Sequence, residues 1–211
     1  MRSLFLKIMK ASCYPDLETG RLRITLADPD LAPRMADFVR TNRDHLAPWS
    51  PERPADYYSA DYWRRRAAEL RTDYDRGLSA CFMMRRREQP DGPVIGEVNL
   101  TNIVRGPLQS CFLGYSLDRA AVGQGLMREA AGAVIAFAFR DLRLHRIAAS
   151  YLPVNERSGR TLRALGFTVE GYARDYLFLA GAWRDHILTS LVNPDLRAPE
   201  IPAGGRPQKP A

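Results

Sequence analysis

The chain has 211 residues, 45% hydrophobic and 26% charged, with 31 basic against 24 acidic side chains and a formal net charge of +7. That length fits one ordinary domain. The composition excludes wholesale disorder and fibrous classes, and 15 Gly and 15 Pro without a period exclude a collagen-like repeat.

The chain begins MRSLFLKIMKAS, an apolar run broken by Lys7, too short and too charged for a secretory segment. Residues 1–14 are read as an N-terminal extension. Residues 21–27 (RLRITLA) alternate polar and apolar and predict a half-buried strand. Asp28 or Asp30 caps a helix running to His45, and Pro48 and Pro51 then break the chain. Residues 58–76 predict a charged amphipathic helix stopped by Gly77. Residues 80–87, 94–104 and 111–117 predict three successive strands, with the first hairpin at 89–93 (QPDGP). A helix over 125–141, a short strand over 146–152 and a helix over 155–165 ending at Gly166 follow. Residues 167–179 and 183–192 predict a last hairpin around Gly181. Residues 194–211 hold five prolines, no aromatic residue and Gly204-Gly205, and are read as a disordered Pro-rich tail. The span 15–193 is therefore expected to be one α/β domain, a mixed central sheet flanked by helices.

Lys7, Lys10 and Lys209 are the only lysines, so Arg supplies nearly all the positive charge. Such a balance suits an anionic ligand or an RNA-associated partner without specifying either. Cys13, Cys81 and Cys111 are odd in number and widely spaced, giving neither a disulfide framework nor a zinc signature. Reduced thiols and a cytoplasmic location are expected. The longest uncharged apolar run, 130–139, has ten residues, too few to span a bilayer, and reads as a buried core helix. No metal and no membrane association are expected.

The most informative stretch is 115–127, YSLDRAAVGQGLM, where a strand enters a Gly-containing turn that opens an apolar helix. Helix starts offer free N–H groups and a partial positive charge, which suit a phosphate. Gly123 and Gly125 let a ligand approach the backbone without a Cβ in the way. No Gly-Lys-Ser/Thr follows, and the third glycine of the dinucleotide fingerprint is missing. By shape alone, a phosphate-binding turn and an ordinary tight turn both remain open.

The second stretch, 155–167, reads NERSGRTLRALGF. Together the two stretches resemble the GNAT N-acetyltransferase superfamily, whose cofactor turn is usually Gln/Arg-x-x-Gly-x-Gly/Ala. Val122, Gly125 and Met127 occupy the three slots, and the first and last depart from the pattern. The departures are tolerable because main-chain N–H groups would hold the pyrophosphate. The resemblance narrows to the ribosomal-protein-alanine N-acetyltransferase branch. It is carried by HLAPW (45–49), VIGEVNLTNIVRG (94–106), LGYSL (113–117), GQGLM (123–127), HRI (145–147), NERSGRTLRALGF, EGYARDYL (170–177) and WRDHILTSL (183–191).

The resemblance implies a GNAT fold and acetyl-CoA as co-substrate. The pyrophosphate would sit on the amides of Val122, Gly123, Gln124, Gly125, Leu126 and Met127, and the backbone at Leu117 would pair with the pantetheine arm. An N–H near Tyr115 would stabilise the developing oxyanion. Asn155 resembles a residue that hydrogen-bonds the cofactor arm or a nearby water; it is equally a preferred helix N-cap. Ser158 matches a position proposed as general acid for the leaving thiolate, and is equally an ordinary helix-start residue. The strand over 110–117 carries no carboxylate base, and Cys111 lies near the usual slot. Glu97, acting through water, is the candidate base. It shares with Asn99 the face opposite Val98 and Leu100; Glu170 is a lesser candidate.

An α-amino group with pKa near 7.7–8.0 is roughly a tenth neutral at pH 7, whereas a lysine is below about 0.1%. A site without a strong base therefore suits N-terminal amines. Cys81 and Cys111 fall in predicted strands without a His/Asp partner, which favours direct transfer in a ternary complex. Trp49, Tyr57, Tyr58, Tyr62 and Trp63 either wall the acceptor groove or pack a core. Arg64–Arg66 and Arg85–Arg87 are solvated faces or attract acidic peptide or ribosomal RNA. His186 beside Asp185 reads as a packing residue rather than a metal ligand. The expected reaction is acetyl transfer from acetyl-CoA to a protein N-terminus, that of a ribosomal protein starting with a small residue such as Ala. The rivals are a small-molecule amine acetyltransferase, for a polyamine or antibiotic, and a non-enzymatic RNA-binding ribosome-assembly factor.

Overall fold

The computed structural model describes residues 14–196. Its strands are β1 (Asp16–Glu18), β2 (Leu22–Leu26), β3 (Ala80–Arg86), β4 (Gly96–Val104), β5 (Ser110–Leu117), β6 (Arg146–Tyr151), β7 (Thr168–Leu179) and β8 (Ala182–Val192). Its helices are α1 (Ala32–Thr41), α2 (Arg43–Leu46), α3 (Ala60–Asp75), α4 (Leu126–Arg140) and α5 (Glu156–Ala164). One sheet runs β1-β2-β3-β4-β5-β6-β8-β7. Every pair is antiparallel except β5 and β6.

The strands alternate their side chains between two cores. Leu22, Ile24, Phe82, Met84, Val98, Leu100 and Cys111 pack with α4 and with Leu162 of α5. Cys81 and Met83 pack on the other face against α1 and α3. β3 is thus buried on both faces, as its continuous apolar run ACFMM requires. The helix expected over 28–45 is broken instead. Asp28 caps a short 3-10 turn, α1 ends at Thr41, and α2 begins after Asn42. β1 carries too few residues to show a period, and only its pairing with β2 defines it.

Tyr14 packs edge-on to Tyr74 with centroids 5.9 Å apart, and the Arg71 guanidinium lies 4.6 Å from its ring. Leu196 is buried. Packing therefore runs across the described span. The N-terminal extension before Tyr14, the tail from residue 197 and Cys13 lie outside the described residues.

β5 and β6 pair only from Ser110–Arg146 to Phe112–Ala148. Beyond that point β5 continues along β4 to Leu117, while β6 continues along β8 to Tyr151. The two parallel strands diverge, and the far half of β5 has a free edge toward β6. This opening lies at the carboxyl ends of parallel strands, where α/β sheets bind ligands. Gly96 is fixed here by close approach, because a Cβ on it would meet the Ser116 carbonyl oxygen at 2.6 Å. Gly96→Ala is therefore expected to force β4 and β5 apart and cost about 1–3 kcal/mol. A denaturation midpoint equal to wild type would reject that contact.

Candidate active site

The divergence of β5 and β6 opens a cleft of about 990 Å³. Its walls include Tyr115–Leu117 on β5, Val122, Gly123 and Gly125–Met127 of the turn, the start of α5, and His45, Leu46, Pro48 and Trp49. Arg119, Arg128, Arg157 and Arg160 also line it, which suits an anionic ligand.

Asp118 caps a short 3-10 turn by accepting the Ala120 N–H at 2.7 Å. Gly123 (φ 84) and Gly125 (φ 73) then take left-handed conformations that favour glycine. The first intrahelical bond of α4 runs from Glu129 N–H to Gly125 O. The N–H groups of Leu126, Met127 and Arg128 precede it and have no partner within the helix. Val122 already donates its own N–H to Arg119 O at 3.3 Å. Within the expected turn, the Val122 N–H is thus already taken.

The turn is braced from outside the cleft. Arg21 donates to Gln124 O at 2.8 Å and to Glu129 Oε2 at 2.7 Å. Thr19 donates to Glu129 Oε1 at 2.6 Å. Burial raises the Glu129 carboxyl's pKa, but the hydrogen bonds from Thr19 and Arg21 outweigh that and hold it below the usual carboxylate range. Arg86 donates to Gln124 Oε1 at 2.6 Å. Buried Asn42 ties α1 to the same turn. It donates to Phe38 O at 2.9 Å and Asp118 Oδ2 at 2.8 Å, and accepts the Arg119 N–H at 2.9 Å.

Across the cleft, Ser158 Oγ and Tyr115 Oη share a hydrogen bond of 2.9 Å in which either hydroxyl can donate. Ser158 also donates its N–H to Asn155 Oδ1 at 3.2 Å, so Asn155 caps α5. Burial pushes the Tyr115 hydroxyl above its ordinary pKa, against the opposing effect of Ser158, and keeps it protonated at neutral pH. The side chain of Tyr115, not only its backbone, therefore stands beside Ser158 in the cleft.

Glu97 is opposite Ser116, and Val98 opposite Tyr115, in the β4–β5 register. The period of two sends Ser116 and Tyr115 to opposite faces of the sheet. Ser116 donates to Glu97 Oε1 at 3.2 Å. Glu97 lines a second cleft of about 550 Å³, which shares Asp44, Leu46, Pro48, Ser50 and Ser116 with the first. The Ser158–Tyr115 pair and Glu97 thus lie on opposite faces of the sheet, in two clefts that share Ser116. Glu170 lines neither cleft; Ser190 donates to it at 2.7 Å, and Arg146 pairs with it.

The Acetyltransferase (GNAT) domain family matches residues 21–168. The chain belongs to the GNAT acetyltransferase family. It is 40% identical over 179 residues to the [ribosomal protein uS5]-alanine N-acetyltransferase of Escherichia coli, covering 85% of this chain and 91% of that protein. The crystal structure of ribosomal-protein-S5-alanine acetyltransferase from Vibrio fischeri superposes with a TM-score of 0.83 at 37% identity, covering 87% of this chain and all of that one. Mycobacterium smegmatis RimJ in complex with CoA-disulfide superposes at 0.77 with 26% identity, covering 84% of this chain and 85% of that one.

In this acetyltransferase the other sequence candidates divide cleanly. Tyr57 and Tyr58 line the second cleft, with Arg53 4.5 Å over the Tyr57 ring. Trp49 lines the first. Tyr62 and Trp63 pack edge-on in the α1–α3 core. Cys81 and Cys111 are buried, and burial pushes both thiols up to about 12, which leaves them protonated. Arg64, Arg65 and Arg66 pair with Asp61, Asp56 and Glu69. Arg85 is buried and donates to Pro90 O. His186 is buried, with Nδ1 2.9 Å from Arg184 O and its ring 5.5 Å from Tyr176. Reading the sequence missed Arg21, Asn42, Arg86 and Glu129. Thr19 and Glu129 are 110 positions apart, so no local pattern signals their contact.

Proposed function

We propose that this enzyme transfers acetyl from acetyl-CoA to the N-terminal α-amine of a protein, with a ribosomal protein beginning with a small residue such as Ala as the favoured acceptor. The observation that carries this reading is the meeting of two clefts at Ser116 and the segment 44–50. One has unpaired helix-start amides and a serine–tyrosine pair; the other has a carboxylate. The names of the Escherichia coli and Vibrio fischeri relatives support the acceptor class, and the CoA-disulfide bound by RimJ supports the donor.

Gly123, Gln124, Gly125, Leu126 and Met127 would hold the pyrophosphate, and the free edge at Leu117 the pantetheine arm. Acetyl-CoA supplies an activated thioester. The backbone N–H near Tyr115 stabilises the oxyanion that develops on the carbonyl oxygen. The acceptor nitrogen forms the new bond to the carbonyl carbon as the carbon–sulfur bond breaks. Ser158, held by Tyr115, gives a proton to the departing sulfur. Glu97, through water, takes the proton that the amine loses and releases it to solvent, from which Ser158 regains the proton it gave to sulfur. Neither Cys81 nor Cys111 takes the acetyl group as a thioester, since burial keeps both thiols protonated. Among the described residues no helix is long and apolar enough to cross a membrane, and a cytoplasmic site of action matches a ribosomal acceptor.

Two measurements test this reading. A peptide beginning with Ala, incubated with acetyl-CoA, is expected to gain one acetyl group on its first nitrogen, located by fragment masses, with one CoA thiol released per transfer. Turnover only with a polyamine or antibiotic would reject the peptide acceptor. RNA binding without turnover would reject the enzyme. The second measurement concerns Gly125. The nearest atom to an added Cβ is Arg21 Nη2 at 3.7 Å, so space is available and the left-handed φ is the obstacle. Gly125→Val carries roughly 1–2 kcal/mol of backbone strain. The turn must shift to relieve it, and CoA affinity is expected to fall about 10- to 100-fold. Unchanged affinity by calorimetry would remove the pyrophosphate from this turn.

A further inference from the structure

We propose that Arg21 and Arg86 are positioning residues for the pyrophosphate-binding turn, acting through Gln124, and that they set affinity for nucleotide-bearing acetyl donors without touching them. The inference rests on the acetyl-CoA reading above. Neither arginine lines the cleft. Arg86 closes β3 opposite Leu22, the first residue of β2, so Arg21 and Arg86 leave the same end of the sheet. Both reach Gln124. Arg21 Nη1 donates to its carbonyl at 2.8 Å, and Arg86 Nη2 to its Oε1 at 2.6 Å. Gln124 Nε2 donates in turn to Ala120 O at 2.9 Å, across the base of the turn.

The geometry of one peptide bond explains the consequence. C=O and N–H of a trans peptide point in opposite directions. Fixing the Gln124 carbonyl on Arg21 therefore aims the Gly125 N–H away from Arg21. Gly125 lines the cleft and Arg21 does not, so that N–H is turned toward the ligand side. Arg21 is itself held at three points, through its backbone N–H to Glu129 Oε1 at 2.9 Å, Nε to Oε2 at 2.7 Å and Nη1 to Gln124. The Glu129 carboxylate in the first turn of α4 is thereby neutralised beside a site built for phosphates. Arg21 is half exposed, so its ion pair with Glu129 adds little stability on its own. Its effect is directional.

Arg21→Ala and Arg86→Ala are each expected to raise the KM for acetyl-CoA roughly tenfold, the worth of a hydrogen bond to a charged group, with kcat changed less than about twofold. Acetyl-pantetheine, which lacks the pyrophosphate and the nucleotide, is expected to show unchanged kcat/KM with both variants. Arg86 meets only the side chain of Gln124, so Arg86→Ala should add nothing in a Gln124→Ala background. Arg21 meets the carbonyl, so Arg21→Ala should keep its effect there. Equal losses with both donors would reduce the arginines to ordinary packing and overturn the proposal. An undiminished Arg86→Ala effect in the Gln124→Ala background would mean direct contact with the donor and would overturn it as well. Calorimetry of wild type with CoA separates the two readings. No binding defeats the donor assignment and this proposal together; binding that is equally tight in both variants defeats this proposal alone.

Discussion

Ser158→Ala is expected to lower kcat by roughly 10²- to 10⁴-fold, the usual range for a positioned proton donor, while leaving CoA affinity nearly intact. Affinity survives because the proposed grip on the pyrophosphate is at the start of α4, whereas Ser158 sits on α5 across the cleft. The fold survives because Asn155 still caps α5 through the backbone N–H of residue 158, not its hydroxyl. Tyr115→Phe tests the partner. It keeps the ring that packs against the core and removes only the hydroxyl 2.9 Å from Ser158 Oγ. A kcat loss of about tenfold is expected, smaller because Ser158 remains and only its orientation is released. Single-turnover kinetics establish whether chemistry limits the rate. If it does and Ser158→Ala matches wild type, Ser158 is a helix-start residue and nothing more.

The second large effect concerns the choice of amine. A peptide beginning with Ala is expected to exceed, by up to about 300-fold in kcat/KM at pH 7, the same peptide with a blocked N-terminus and an internal lysine. The figure follows from a gap of about 2.5 pK units, or about 3.4 kcal/mol, between an α-amine and a lysine. The greater intrinsic nucleophilicity of lysine recovers only part of it. The site has little means to close the gap. The candidate base, Glu97, lies on β4 in the second cleft and hydrogen-bonds Ser116 on the face away from Tyr115. Rates with the α-amine should rise with pH through about 7.7–8.0 and then level, whereas a lysine acceptor should keep rising. Comparable kcat/KM values for the two peptides at pH 7 would reject the N-terminal assignment.

The local elements were legible in the amino-acid order because their signals are local. The alternation of RLRITLA, the apolar run ACFMM, the glycines that break the chain before α4 and Asn155 ahead of α5 each act within a few residues. Period and capping depend on neighbours at fixed offsets, so they survive without knowledge of the fold. Boundaries moved by one or two residues in most elements. The helix over 28–45 was misjudged because Asn42, whose side chain serves Asp118 and Arg119 in the distant turn, interrupts it. The order and spacing of motifs also carried the family, since a shared fold constrains many short stretches together.

The site itself needed the tertiary structure. Ser158 and Asn155 stood out by their motif, yet the partner that orients Ser158 lies 43 positions away on β5. Arg86 read as part of a solvated face and Arg21 and Glu129 carried no local signal; the tertiary structure brings both arginines to Gln124 and Glu129 to Arg21. Glu170 resembled a possible base until the fold set it on Arg146 and Ser190, outside both clefts. The cleft has no sequence signature at all. It exists because β5 follows β4 and β6 follows β8 once their shared pairing ends after Phe112 and Ala148. Propensity and periodicity act along the chain, whereas a reaction needs groups converging in space, and that convergence is set by strand register and helix packing.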